Sequence, residues 1–157
     1  MSWVDDYIYA AGGGHIPANW GAFADQTGVV AVLHLRPGAP EPFVGPPPRR
    51  FLWLAVEDEA QLDIQSLYLA GVFLAHCVAR ASRVLLHSSL GRHRARWAYV
   101  AYLMVGGKGW TAARRRAEAK PWLSPYRTDP ARWQAFEKWL RAGQGGSTQW
   151  GGEVGSH

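Results

Sequence analysis

The residues "RVLLHSSLGRHRARW", positions 83–97, put a short apolar run, a turn with a glycine at its middle and the start of a long helical pattern in immediate succession. "RVLLH" shows no polar alternation, so it suits a strand buried on both faces, as in a sheet covered by helices. "ARWAYVAYLMVGG" then reads as a strongly apolar helix that ends at the Gly106-Gly107 pair. A strand that feeds a helix through a tight glycine turn aims backbone N–H groups and the positive end of a helix dipole at one point, which is how backbones bind phosphate. The predicted cradle is Ser89, Leu90, Gly91, Arg92, His93 and Arg94. Arg94 is expected to close it with two parallel hydrogen bonds to phosphate oxygens. Ligands of α/β sheets bind beyond the carboxyl ends of strands, where this turn must lie.

A competing site lies just upstream. Cys77 is followed at the sixth position by Arg83, as Ser88 is by Arg94, and in an arginine-rich chain that spacing alone decides little. Context decides instead. Cys77 falls inside the helical pattern "IQSLYLAGVFLAHCVAR", residues 64–80, roughly 130° from the centre of its apolar stripe. No glycine separates it from Arg83, so the chain has no means to curl around an anion there. Cys77 is therefore read as a helix-surface or helix-edge thiol without a function, and Ser88 as the mark of the site.

Further upstream, residues 7–10 read as a short strand running into glycines, and "PANWGAFADQTG" as a short helix with Asn19 or Asp25 marking its ends and Gly28 stopping it. "VVAVLHL", residues 29–35, and "FLWLAV", residues 51–56, are predicted buried strands separated by a proline-rich loop. "EDEAQLD" is an acidic loop whose last residue, Asp63, caps the next helix. Downstream, "WTAARRRAEAK" is a helix closed by Pro121. "DPARWQAFEKWLRAG" is another, with Asp129 as cap, Pro130 in its first turn and Gly143 at its end. Strands alternating with helices predict an α/β fold, a central, mostly parallel sheet of four to five strands flanked by helices. Residues 1–143 are read as a single domain. Residues 144–157 are read as a flexible tail, non-native added residues being one reading of part of it.

The 157 residues and their 48% hydrophobic content suit one compact core. No apolar run of about 18 residues is present to span a bilayer, and the first residues lack the pattern of a secretory signal. A cytoplasmic location is expected. One cysteine excludes an intramolecular disulfide and any multi-cysteine zinc site. The net charge of +5 favours anionic partners only in general terms, and nucleic acid is not the expected partner. No metal and no cofactor is called for.

"VLLHSSLGRHR" resembles the His-Cys-x-x-Gly-x-x-Arg signature of cysteine-dependent protein-tyrosine and dual-specificity phosphatases, with Ser88 at the cysteine position and His87, Gly91 and Arg94 in place. The resemblance runs from Tyr7 to about Lys120: "DDYIYAAGGGHIPANWGAFADQTGVVAVLHL" is similar to the opening of a dual-specificity phosphatase domain, and "FLWLAVEDEAQLDIQSLYLAGVFLAHCVARASRVLLH" to its middle. "PYRTDPARWQ" departs from the family's usual ending. The resemblance implies a dual-specificity phosphatase-like fold and hydrolysis of phosphotyrosine, with phosphoserine and phosphothreonine as further substrates, through a phosphocysteine. It implies that Asp58 is the general acid, by position, and that His87 helps hold the loop and keep the nucleophile ionised. The implied partners are a phosphoprotein or phosphopeptide substrate and a phosphate or sulfate ion in the loop, bound by a monomer.

Two departures bear on activity. A serine hydroxyl is scarcely ionised near neutral pH, whereas a thiol in an electropositive loop would be thiolate, so the chain as written is expected to bind phosphate with little or no turnover. Ala95 stands where the family usually carries a hydroxyl that assists breakdown of the phosphoenzyme. An engineered Cys→Ser change at position 88 is the preferred history, because Asp58, Gly91 and Arg94 all survive. A natural pseudophosphatase that binds phosphorylated partners is the alternative. A phosphoinositide or RNA 5′-phosphatase is a lower-weight one, motivated by Arg92, His93 and the "RRRAEAK" run.

Overall fold

The structure, a computed structural model, describes residues 1–12, 16–17, 19–40, 42–56, 62–88, 93–120 and 129–156, the side chains of 93–94 and 144–156 excepted. Its strands are β1 (Ser2–Asp5), β2 (Ile8–Ala11), β3 (Val29–Leu35), β4 (Arg50–Trp53) and β5 (Arg83–Ser88). Its helices are α1 (Trp20–Thr27), α2 (Ile64–Ala79), α3 (His93–Val105), α4 (Trp110–Glu118) and α5 (Pro130–Ser156). The strands form one sheet in the order β1-β2-β5-β3-β4. β2, β5, β3 and β4 run parallel, and β1 pairs antiparallel with β2. The expected α/β architecture with a mostly parallel sheet is what the chain adopts.

Local chemistry fixes several helix ends. Asn19 accepts a hydrogen bond from Ala22 N at 3.3 Å to start α1, and Gly28, at φ 72°, ends it in the left-handed region that glycine tolerates. Asp63 accepts from Ser66 N at 2.7 Å and opens α2. This bond from Ser66 holds the Asp63 carboxyl below its ordinary pKa. At the start of α4 no side chain of its own first residues caps the helix. The Glu137 carboxylate of α5 accepts from Trp110 N at 2.8 Å instead, which joins the two helices.

The two faces of the sheet are unequally covered. On one face Ala31, Leu33, Leu35, Val84 and Leu86 meet α2, α3, α4 and α5 in the larger core. On the other, Val32 and Leu85 meet α1 and Phe43 in a smaller one. α2 and α3 pack closely because position 71 is glycine: a Cβ there would lie 2.6 Å from Val105 Cγ2 and 2.8 Å from the Ala101 carbonyl oxygen. Across the rim, the Tyr99 and Arg116 side chains of α3 and α4 both reach Asp5 of β1, and Tyr102 reaches Asp6 at 2.6 Å.

Four expectations need correction. β1 was not foreseen. It forms because Asp6, at φ 47°, and Tyr7 make a two-residue turn that folds Ser2–Asp5 back on β2. β4 is shorter than residues 51–56 and alternates in burial rather than being buried on both faces, because it is the sheet's edge: Phe51 and Trp53 are 37% and 42% exposed. Cys77 is not at the helix surface. The buried stripe of α2 is Leu67, Ala70, Gly71, Leu74 and Cys77, since the helix is covered by the sheet, α3 and α5 together. Gly143 does not end the last helix, which runs on to Ser156; glycines cost about 1 kcal/mol each in a helix but do not forbid it as a proline would, and none follows Pro130.

Candidate functional site

Ser88 is the last residue of β5, the middle strand of the sheet, and is 1% exposed. α3 begins five positions later at His93, its first turn free of acidic residues, so the positive end of a thirteen-residue helix adjoins the carboxyl end of the central strand. A central strand followed by a helix is thus described on either side of the expected phosphate cradle. Ser89, Leu90, Gly91, Arg92 and Asp58 lie outside the described residues, and His93 and Arg94 are placed in the first turn of α3 as backbone only. Ala95, the position where a hydroxyl was expected by resemblance, is fully buried in that turn. Arg96, also buried, lies 3.4 Å from the Glu118 carboxylate.

Alternation along β5 sends successive side chains to opposite faces. Val84 and Leu86 lie in the larger core and Leu85 in the smaller one, which puts Ser88 on the α3 side and His87 on the α1 side. There His87 finds a partner that sequence reasoning missed. His34 of β3 is its register neighbour in the parallel pairing. The two rings stack with centroids 5.3 Å apart and planes 10° apart, and their Nδ1 atoms are 3.2 Å apart. His34 Nε2 is 3.2 Å from the Gly38 carbonyl oxygen. Burial, opposed in part by that carbonyl and aided by the Arg36 charge, lowers the pKa of His34, so the ring is neutral near pH 7. The signal available in sequence was a lone polar residue inside the apolar run "VVAVLHL".

Aromatic rings continue outward from this pair. Phe51 lies 6.1 Å from His34, Phe43 lies 6.0 Å from Phe51, and Trp20 lies 6.1 Å from Phe43. The Trp53 indole N–H donates to the Arg36 carbonyl oxygen at 2.8 Å, and Leu54 N donates to the His34 carbonyl oxygen at 3.0 Å. These bonds tie the chain that follows β3 to the edge strand.

Cys77 is excluded as the nucleophile by its place. It is fully buried in α2, and burial raises its thiol pKa to about 11, against smaller opposing effects of Arg50 and Arg80, so no useful thiolate exists at neutral pH. Two grooves, of about 630 Å³ and 360 Å³, are lined by Asp6, Ala79, Tyr102, Gly106 and Lys108 and by Gly106, Lys108, Glu137 and Arg141 respectively. Asp6 precedes β2, Ala79 precedes β5 and Gly106 follows α3, so both open at the end of the sheet opposite Ser88. Among the described residues no three His, Cys, Asp or Glu side chains are grouped to hold a metal ion, and no helix is long and apolar enough to cross a membrane.

No known protein-family pattern matches the chain, and no curated protein sequence matches it. Its fold, however, is that of solved phosphatases. The structure of human DUSP28 superposes with a TM-score of 0.71 at 21% identity, covering 90% of this chain and 99% of that one. PTPMT1 in complex with PI(5)P gives 0.67 at 17% identity over 88% of this chain and 95% of that one. The human tyrosine phosphatase-like serine/threonine/tyrosine-interacting protein gives 0.60 at 13% identity over 90% and 95%. The central sheet and its flanking helices are thus those of dual-specificity phosphatases.

Proposed function

We propose that this chain carries a protein-phosphatase site of the dual-specificity or tyrosine type, disabled at its nucleophile, so that it binds phosphate esters of protein side chains and scarcely hydrolyses them. The observation that carries the reading is the placing of Ser88: buried, last in the central strand, and five positions before the first residue of α3. Backbone N–H groups of Ser89 to His93 and the guanidinium of Arg94 would hold three phosphate oxygens there, with the positive end of the α3 dipole favouring the anion.

In a cysteine-bearing version a thiolate at position 88 attacks phosphorus in line, the S–P bond forms as the P–O bond to the leaving group breaks, and Asp58 gives its proton to the leaving oxygen. Water then cleaves the phosphocysteine, its proton returning to Asp58. With Ser88 the first step lacks an ionised nucleophile. His87 cannot act as its general base, because the alternation of β5 sends it to the other face of the sheet, against His34. Binding survives and chemistry does not.

Ser88 as an engineered replacement and Ser88 as the natural residue predict different behaviour of one variant. Ser88→Cys, assayed on an aryl phosphate, should hydrolyse it by way of a trappable phosphocysteine if the rest of the machinery is that of an enzyme. A folded Ser88→Cys protein that binds phosphate without turnover would establish the second reading, a pseudophosphatase that captures phosphorylated partners. That reading is favoured by the likeness to a protein described as phosphatase-like and interacting, and by buried Ala95 in place of a hydroxyl. A phosphoinositide headgroup is the further candidate ligand, since PTPMT1 is solved with PI(5)P; inositol phosphates competing better than phosphotyrosine would favour it.

A further inference from the structure

We infer that His34 is a positioning residue for the phosphate loop: with the Gly38 carbonyl it forms a one-way hydrogen-bond relay that fixes His87 as the Nδ1–H tautomer. The direction follows from what each atom can do. A carbonyl oxygen only accepts, so the 3.2 Å contact to Gly38 requires the proton on His34 Nε2. A neutral imidazole carries one ring proton, which leaves His34 Nδ1 a bare lone pair. That lone pair faces His87 Nδ1 at 3.2 Å, so the hydrogen in this contact belongs to His87. His87 Nε2, which is buried, becomes the acceptor end of the relay. The lowered pKa of His34 agrees with a ring that stays neutral.

The relay also decides which ring can become cationic. A second proton on His34 would sit on Nδ1 and set two N–H groups head to head. A second proton on His87 would sit on Nε2 and leave every bond of the relay intact. The stacking of the rings and their register pairing across β3 and β5 hold this arrangement in the sheet rather than in a loop. The phosphate half of the inference rests on the function proposed above; the tautomer half does not.

Nuclear magnetic resonance of imidazole nitrogens in the full chain reads the tautomers directly. His34 is expected as Nε2–H and His87 as Nδ1–H. His34→Phe keeps a ring against His87 but removes the acceptor. It should abolish the Nδ1–H signature of His87 and weaken binding of inorganic phosphate about tenfold, the effect of losing one hydrogen bond. His34→Asn, whose amide oxygen can accept from His87, should restore the signature and most of the affinity. An Nε2–H tautomer for His87 in the unmodified chain overturns the relay, and that result stands even if His34→Phe fails to fold. Weaker phosphate binding in His34→Phe with an unchanged His87 tautomer would also overturn it, as a merely structural effect. Correct tautomers in a chain that binds no phosphate would leave the relay standing and sink the phosphate site instead.

Discussion

The Tyr99 hydroxyl, in the middle of α3, donates to Asp5 Oδ2 at 2.5 Å and so joins the sheet's edge hairpin to the first helix after Ser88. Arg116 of α4 donates to the same oxygen through Nε at 3.0 Å and Nη2 at 2.5 Å. Burial alone would raise the Asp5 carboxyl, but the bonds from Tyr99 and Arg116 and the charges of Arg116 and Lys120 outweigh it and hold the group below its ordinary 3.8. Burial and the bond to Asp5 push the Tyr99 phenol upward, so it stays a donor throughout the useful pH range.

Tyr99→Phe removes this donor and leaves the buried Asp5 oxygen with Arg116 as its remaining donor. Loss of about 1.5–3 kcal/mol of stability at pH 7, the worth of a hydrogen bond to a charged group, is expected by urea denaturation. The pH dependence has a definite sign. Asp5 is depressed in the folded state, so its contribution is complete above its unfolded value near 3.8 and falls away as the pH drops through the lower folded value. The gap between Tyr99→Phe and the parent should therefore close on acidification below that window. A gap that widens there would contradict the account of Asp5.

Cys77 supplies a second test because the chain has no other cysteine. Full burial and a pKa raised to about 11 make it inert, so iodoacetamide at pH 7.5 should leave the native protein unlabelled and label it fully in denaturant. Cys77→Ala should bind phosphate as the parent does, while costing some stability through the cavity left under α2. Rapid native alkylation, protected by phosphate, would move the site back to Cys77.

Much of this arrangement was legible before any coordinates. "VVAVLHL" and "RVLLH" read as central strands because an unbroken apolar run must be covered on both faces, and Asn19, Gly28 and Asp63 marked helix ends through side-chain and backbone chemistry local to them. What escaped depends on long-range pairing. β1 exists only by folding back on β2. The edge status of β4 is set by what fails to lie beside it. Cys77 was misplaced because three layers cover α2, which rotates its buried stripe away from the one its apolar residues trace. The most informative omission is His34. A polar residue in a buried strand looks like an exception until the register between β3 and β5 sets it beside His87, 53 residues away in sequence.

Titration of a phosphotyrosine peptide into the unmodified chain and into Arg94→Ala, followed by calorimetry, tests the central claim most directly. The account predicts binding by the Ser88 protein at neutral pH, displaced by inorganic phosphate, and its loss by at least about a hundredfold in Arg94→Ala, since the bidentate, charge-assisted bonds to the phosphate oxygens go with the guanidinium. Binding that survives unchanged in a folded Arg94→Ala protein, or no binding by the unmodified chain, would show that the loop after Ser88 is not a phosphate site.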